Sequence, residues 1–128
     1  MKYEFKGYKE LEAAIRRNPG FVVREGREFL EDGLAVYRRG VINNPWRVGG
    51  SGGGAPVRTR NLADTHHTEV MGLTGSIYPT ASYAPFVHDG TKRVAARPWL
   101  DYVQRDKDSQ IRALETQFLE KITKDLAS

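Results

Sequence analysis

The chain contains no cysteine in its 128 residues. A disulfide scaffold, a thiolate metal site and a cysteine nucleophile are therefore excluded together. No apolar run approaches the roughly 20 residues that a membrane span needs. The opening Met-Lys-Tyr-Glu likewise lacks the apolar stretch of a secretory leader. Catalytic signatures are scarce as well. The glycine tract at 49–54 leads into no Gly-Lys-Ser/Thr, follows no apolar strand and opens no helix, so it is not a phosphate loop. Gly75-Ser76-Ile77 lacks the flanks of a Gly-x-Ser-x-Gly nucleophile elbow. Histidine numbers only three, His66, His67 and His88, without Glu-x-x-His spacing. A His67/His88/Asp89 cluster across a hairpin is the best metal site on offer, but exposed strand and turn histidines are the commoner outcome. Asp101, Asp106 and Asp108 invite a Mg²⁺-nuclease reading, yet near a helix start they read as a solvated face that favours the helix dipole.

What is present is an ordinary globular composition, 39% hydrophobic and 28% charged. The length fits one domain, residues 1–128, burying roughly two-thirds of its unfolded surface. The net charge of +4 permits contact with nucleic acid without demanding it. Its distribution is uneven: twelve Lys/Arg stand against seven Asp/Glu through Arg60, and eight against nine after it. The basic excess lies in the first half.

Lys2–Lys6 alternates as a short edge strand would. Lys9–Arg17 spaces Leu11, Ala14 and Ile15 as a brief amphipathic helix, ended by Asn18-Pro19-Gly20. Phe21–Ile42 is a long helix with Val22, Gly26, Phe29, Leu30, Gly33, Leu34, Tyr37 and Val41 on one stripe. Its two stripe glycines each cost about 1 kcal/mol of helix propensity. They mark either close packing or slack tolerated by tertiary contacts. Residues 43–60 read as a long Gly-rich loop, flexible and arm-like, whose Arg47, Arg58 and Arg60 a neighbouring subunit or DNA would order. His66–Ala81 reads as strand, turn and strand, with Pro79 demoting the second strand to an edge or shortening it. Asp101–Leu126 is a long helix with Val103, the Lys107 stem, Ile111, Leu114, Phe118, Ile122 and Leu126 on its buried side. The fold class is α+β: a small, mainly antiparallel sheet packed with a long helix before the strands and a long C-terminal helix.

Between the strands and the last helix lies Ser82–Leu100, around which the chain is organised. Tyr83-Ala84-x-Phe86-Val87-His88 leads to a turn at Asp89-Gly90-Thr91, a basic pair Lys92-Arg93, and then Ala96-Arg97-Pro98-Trp99-Leu100. Gly90 supplies a positive φ and Pro98 suits a first helical turn. Trp99 reads as a core plug where the helix begins, and Tyr83, Phe86 and Val87 as core or inter-subunit contacts.

That order of parts resembles the neck or tail-completion proteins of tailed bacteriophages. Residues 59–65 match that family's plan only loosely, with Arg60-Asn61 where a turn glycine commonly sits. The resemblance implies a structural virion protein without enzymatic activity or cofactor, made in the host bacterial cytoplasm. It implies a homo-oligomeric ring, a hexamer or alternatively a dodecamer, between head-closure or connector proteins and the tail tube or tail terminator. Genome DNA would pass through the lumen, and no membrane would be involved. Subunit-interface candidates are then Tyr83, Phe86, His88, Gly90, Thr91, Arg97 and Trp99. The arm or DNA-channel candidates are Arg47, Arg58, Arg60, Lys92 and Arg93. The alternative is a small basic nucleic-acid-binding module.

Overall fold

The computed structural model describes residues 2–4, 9–47, 50–56, 61–93 and 95–127. In chain order the elements are β1 (Lys2–Glu4), α1 (Lys9–Arg17), α2 (Pro19–Ile42), α3 (Asn61–Asp64), β2 (His66–Met71) and β3 (Thr74–Pro79). They are followed by α4 (Ala84–Asp89), α5 (Trp99–Asp106) and α6 (Asp108–Ala127). This is the expected α+β plan of a small antiparallel sheet with a long helix before the strands and another at the C-terminal side.

Helix α2 is the hub, because it packs on α1, α3, α5, α6, β2 and β3. All eight stripe residues named from the sequence are buried, and Val36 joins them. Two of its faces are thereby used, one against the sheet and one against α6. Phe29 stacks on Phe118 of α6 with ring centroids 5.7 Å apart. The stripe glycines divide between the two readings. A Cβ at Gly26 would strike Leu73, so this glycine serves close packing, whereas at Gly33 it would meet Ile111 at an ordinary 3.5 Å.

Helix α2 starts two residues earlier than the sequence indicates. Pro19 and Gly20 form its first turn instead of a gap after α1. Proline costs nothing there, since the first helical N–H has no intrahelical partner. The C-terminal helix is interrupted at Lys107 (φ −97°, ψ 3°) and so divides into α5 and α6. Lys107 still donates its N–H to the Val103 carbonyl, and the predicted stripe continues across the break with Val103, Ile111, Phe118 and Ile122 buried.

The sheet order is β1-β3-β2, with both pairings antiparallel. Strand β3 is thus central, which corrects the edge placement suggested by Pro79. The proline is tolerated because it is the last strand residue, beyond Thr74–Ser76 where β1 pairs. In the β2–β3 register Thr68 faces Ile77 and Val70 faces Gly75, on the side turned to α2. The opposite side carries His67, Glu69, Met71 and Tyr78, all exposed. The connecting turn is Gly72-Leu73, with Gly72 at φ 58°.

The end of the glycine tract departs from the free arm expected of it, whereas Gly50 and Ser51 are exposed and Gly49 lies outside the described residues. Gly53, Gly54, Ala55 and Pro56 are buried, folded back on the end of α2. Trp46 N–H donates to the Gly54 carbonyl, Gly54 N–H to Asn44, and Ala55 N–H to Val41 at 2.8 Å. The reason is steric. A Cβ on Gly54 would sit inside van der Waals contact of the Gly40, Val41 and Asn43 carbonyl oxygens, so only glycine lets the two backbones meet. The Val41 carbonyl, one of those that the end of α2 leaves unsatisfied, acquires a donor in this way.

Gly54→Ala should therefore cost about 2 kcal/mol of unfolding free energy, in the range of an overpacked interior site. Gly20→Ala, with nothing within 4 Å of its new methyl, should be neutral or gain up to about 1 kcal/mol. Urea denaturation of both variants checks the contrast.

Candidate subunit interface

Apart from Val94, which lies outside the described residues, the segment Ser82–Pro98 forms a strap against the start of α5, and its short helix was not foreseen. Tyr83 precedes α4, Pro85 lies in the first turn, and Gly90 ends it at φ 81° with its N–H on the Phe86 carbonyl at 3.0 Å. A β-branched or bulky residue is strained at such a φ, so the glycine chosen from the sequence has its conformational role. Helical spacing then sorts the side chains. Ala84 and Val87 turn to the core, and the His88 ring stands edge-on to Trp99 at 5.0 Å. Tyr83 and Phe86 turn outward, 41% and 62% exposed. The returning chain is tied down by Arg97 N–H on the Val87 carbonyl at 3.0 Å. Thr91, Lys92 and Arg93 are exposed at the tip, where Arg93 N–H donates to the Thr91 hydroxyl at 3.2 Å.

Beneath the strap lies a polar contact inside the core. Trp99 is 0% exposed and donates its indole N–H to His66 Nε2 at 3.0 Å. Because Nε2 accepts, the proton of the neutral ring is on Nδ1, which donates to the Leu62 carbonyl at 2.8 Å. Burial pushes the His66 pKa down, the Leu62 and Ala63 backbone bonds oppose this in part, and Arg38 lowers it again.

The structure thus separates the sequence candidates. Tyr83, Phe86, Gly90 and Thr91 share one surface strap with Lys92 and Arg93. Trp99 is withdrawn from the interface set, since it is wholly enclosed in its own subunit as the core plug. His88 is mainly an inward residue, its Nδ1 2.8 Å from Asp89 Oδ1 and its side chain 19% exposed. Arg97 is half-buried at the foot of the strap. Arg47 is exposed in the loop after α2, where the neighbouring Trp46 meets Tyr102 edge-on at 6.1 Å. Arg58 and Arg60 lie outside the described residues.

Other constellations are not assembled. His67 sits on the outer sheet face against Tyr78, while His88 lies under the strap, so His67/His88/Asp89 do not converge. Among the described residues no group of three His, Asp or Glu is placed to hold a metal ion. Asp106 and Asp108 pair with Lys107 and Arg112, at 3.3 and 2.8 Å. No helix among the described residues is long and apolar enough to cross a membrane. His66 was the buried polar residue missed by sequence reasoning, although it falls on the inward side of the same alternation as Thr68 and Val70.

No family model, curated protein or solved structure matches this chain.

A lowered folded-state pKa means that protonation of His66 opposes folding. Its stabilisation is complete above the unfolded value of about 6.5 and is lost as pH falls from there toward the folded value. Thermal unfolding followed from neutral to mildly acidic pH should show this slope, and His66→Leu should remove it. At neutral pH the same variant leaves the Trp99 N–H buried without an acceptor, a loss of about 1–3 kcal/mol.

Proposed function

We propose that this protein is a structural component of the tailed-phage head–tail connector, of the neck or tail-completion type. Subunits form a ring, a hexamer or alternatively a dodecamer, between head-closure proteins and the tail tube or tail terminator, around the channel for genome DNA. The observation that carries the reading is the strap. The segment bearing the family-like motif Tyr83-Ala84-x-Phe86-Val87-His88, Gly90-Thr91 and Arg97-Pro98-Trp99 holds two aromatic side chains in solvent while its alternate residues are anchored to the core.

An exposed aromatic pair on a firmly based support is what a protein contact uses, because large rigid side chains bury much area at little entropic cost. Phe86 is the more exposed of the two, at 62%, on a helix of only six residues. Contacts between neighbours are assigned to the strap rather than to the glycine tract, which spends its backbone groups on its own subunit.

The mass of the purified protein, alone and then with head-closure or tail-tube proteins, tests this. Entry into a closed ring with those neighbours supports the proposal. A permanent monomer that ignores them but binds DNA with a steep salt dependence would instead establish the nucleic-acid module, because phosphate contacts release counterions. Phe86→Asp should block ring entry while changing unfolding free energy by no more than about 0.5 kcal/mol, as expected for an exposed position.

A further inference from the structure

We infer that neighbouring copies of this chain join head to tail, the strap of one lying over the shallow groove, about 40 Å³, between α2 and α6 of the next. The inference rests on the ring reading above and assigns the two surfaces that meet. The strap supplies Phe86 and Tyr83 beside the cations Lys92 and Arg93. The groove supplies the opposite charge. Glu28 and Asp32 stand one helical turn apart on the exposed side of α2, facing Gln117 and Leu114 of α6 over a floor of Phe29 and Phe118.

Three observations favour a second copy as the occupant. First, Glu28 and Asp32 are like charges at i and i+4, an arrangement that destabilises a helix unless a cation answers it. Among the described residues neither is in an ion pair. Lys121, the cation in the groove, is engaged with Glu25 at 3.4 Å, and Arg27 pairs with Glu31 at 3.1 Å. Second, Lys92 and Arg93 form an adjacent like-charged pair that also has no ion-pair partner among those residues. Third, the two patches lie apart on one subunit. The strap is fixed through Trp99 to α5, which crosses α2 where Val103 meets Gly40. That crossing is about two to three helical turns from Glu28 and Asp32. Each patch therefore lacks its complement at home and finds it on a neighbour. Such a contact is heterologous, and repeated through a rotation that closes it forms the ring of the neck reading. Complementary charge sets the register, and the aromatic pair supplies buried area.

The absence of native cysteine allows a direct test. In a Thr91→Cys/Gln117→Cys variant, mild oxidation should trap a ladder of disulfide-linked dimers, trimers and larger species on a non-reducing gel. Either single variant can give dimers only. Both positions are exposed, and thermal unfolding of the reduced protein verifies the fold. Adding Glu28→Lys and Asp32→Lys should reduce the ladder at least tenfold. Reversing Lys92→Glu and Arg93→Glu on that background should restore it. A double variant giving no species beyond those of the singles, or a ladder indifferent to both reversals, overturns the inference. The neck reading fails separately. A charge-sensitive ladder from protein that never enters an assembly with head-closure or tail proteins would retain the interface and discard the neck. Entry into that assembly without the ladder would do the reverse.

Discussion

The Trp99–His66 hydrogen bond ties together two parts of the chain that are remote in sequence. It joins the start of α5 to the first residue of β2, and His66 passes the connection to α3 through the Leu62 carbonyl. The indole is fully enclosed, so its N–H must find an acceptor or incur a desolvation penalty. One neutral imidazole satisfies it while its other nitrogen serves the backbone. The strap depends on this arrangement. His88 leans on the indole, Val87 holds the returning chain through Arg97, and Phe86 is presented outward because its neighbours are held inward.

A second constraint acts at the end of α2. The loop after this helix is rich in glycine, yet its described residues fold back on the carbonyls of Gly40, Val41 and Asn43. Flexibility in composition and openness in structure are different properties. Here the missing Cβ is used to bring two backbones into contact, and buried hydrogen bonds answer the helix end. Gly40 plays a related part on the other side, where a Cβ would lie 2.7 Å from Val103. Helix α5, and with it Trp99, is thereby drawn close to α2.

These two anchorages leave the molecule with contrasting surfaces. Near the strap are exposed aromatics and a basic tip; along the first half of α2, toward α6, is an acidic groove. Much of the basic excess in the first half of the sequence is spent locally. Arg27 faces Glu31, Arg24 lies 3.7 Å from Glu25, and Arg17 donates to the Leu126 carbonyl. A count of cations therefore overstates what that half offers to a polyanion. The proposed neck role relies on shape and local complementarity instead of net charge.

The sequence by itself determined the elements whose side chains repeat with a clear period. The α2 stripe, the α6 stripe and the β2–β3 hairpin follow from spacing, because burial of an apolar face is a local pattern before it is a contact. Gly90 and the buried Trp99 were legible for the same reason, as turn chemistry and as the largest apolar group at a helix start. Tertiary structure decided what depends on partners distant along the chain. It placed β3 in the centre despite Pro79, since only the pairing with β1 shows which ladder positions need an N–H. It made His66 an acceptor for an indole 33 residues away. It turned the end of the glycine tract from an arm into packing, and it exposed Phe86 while half-burying Val87. None of these has a period to read, because each is fixed by which atoms approach in space.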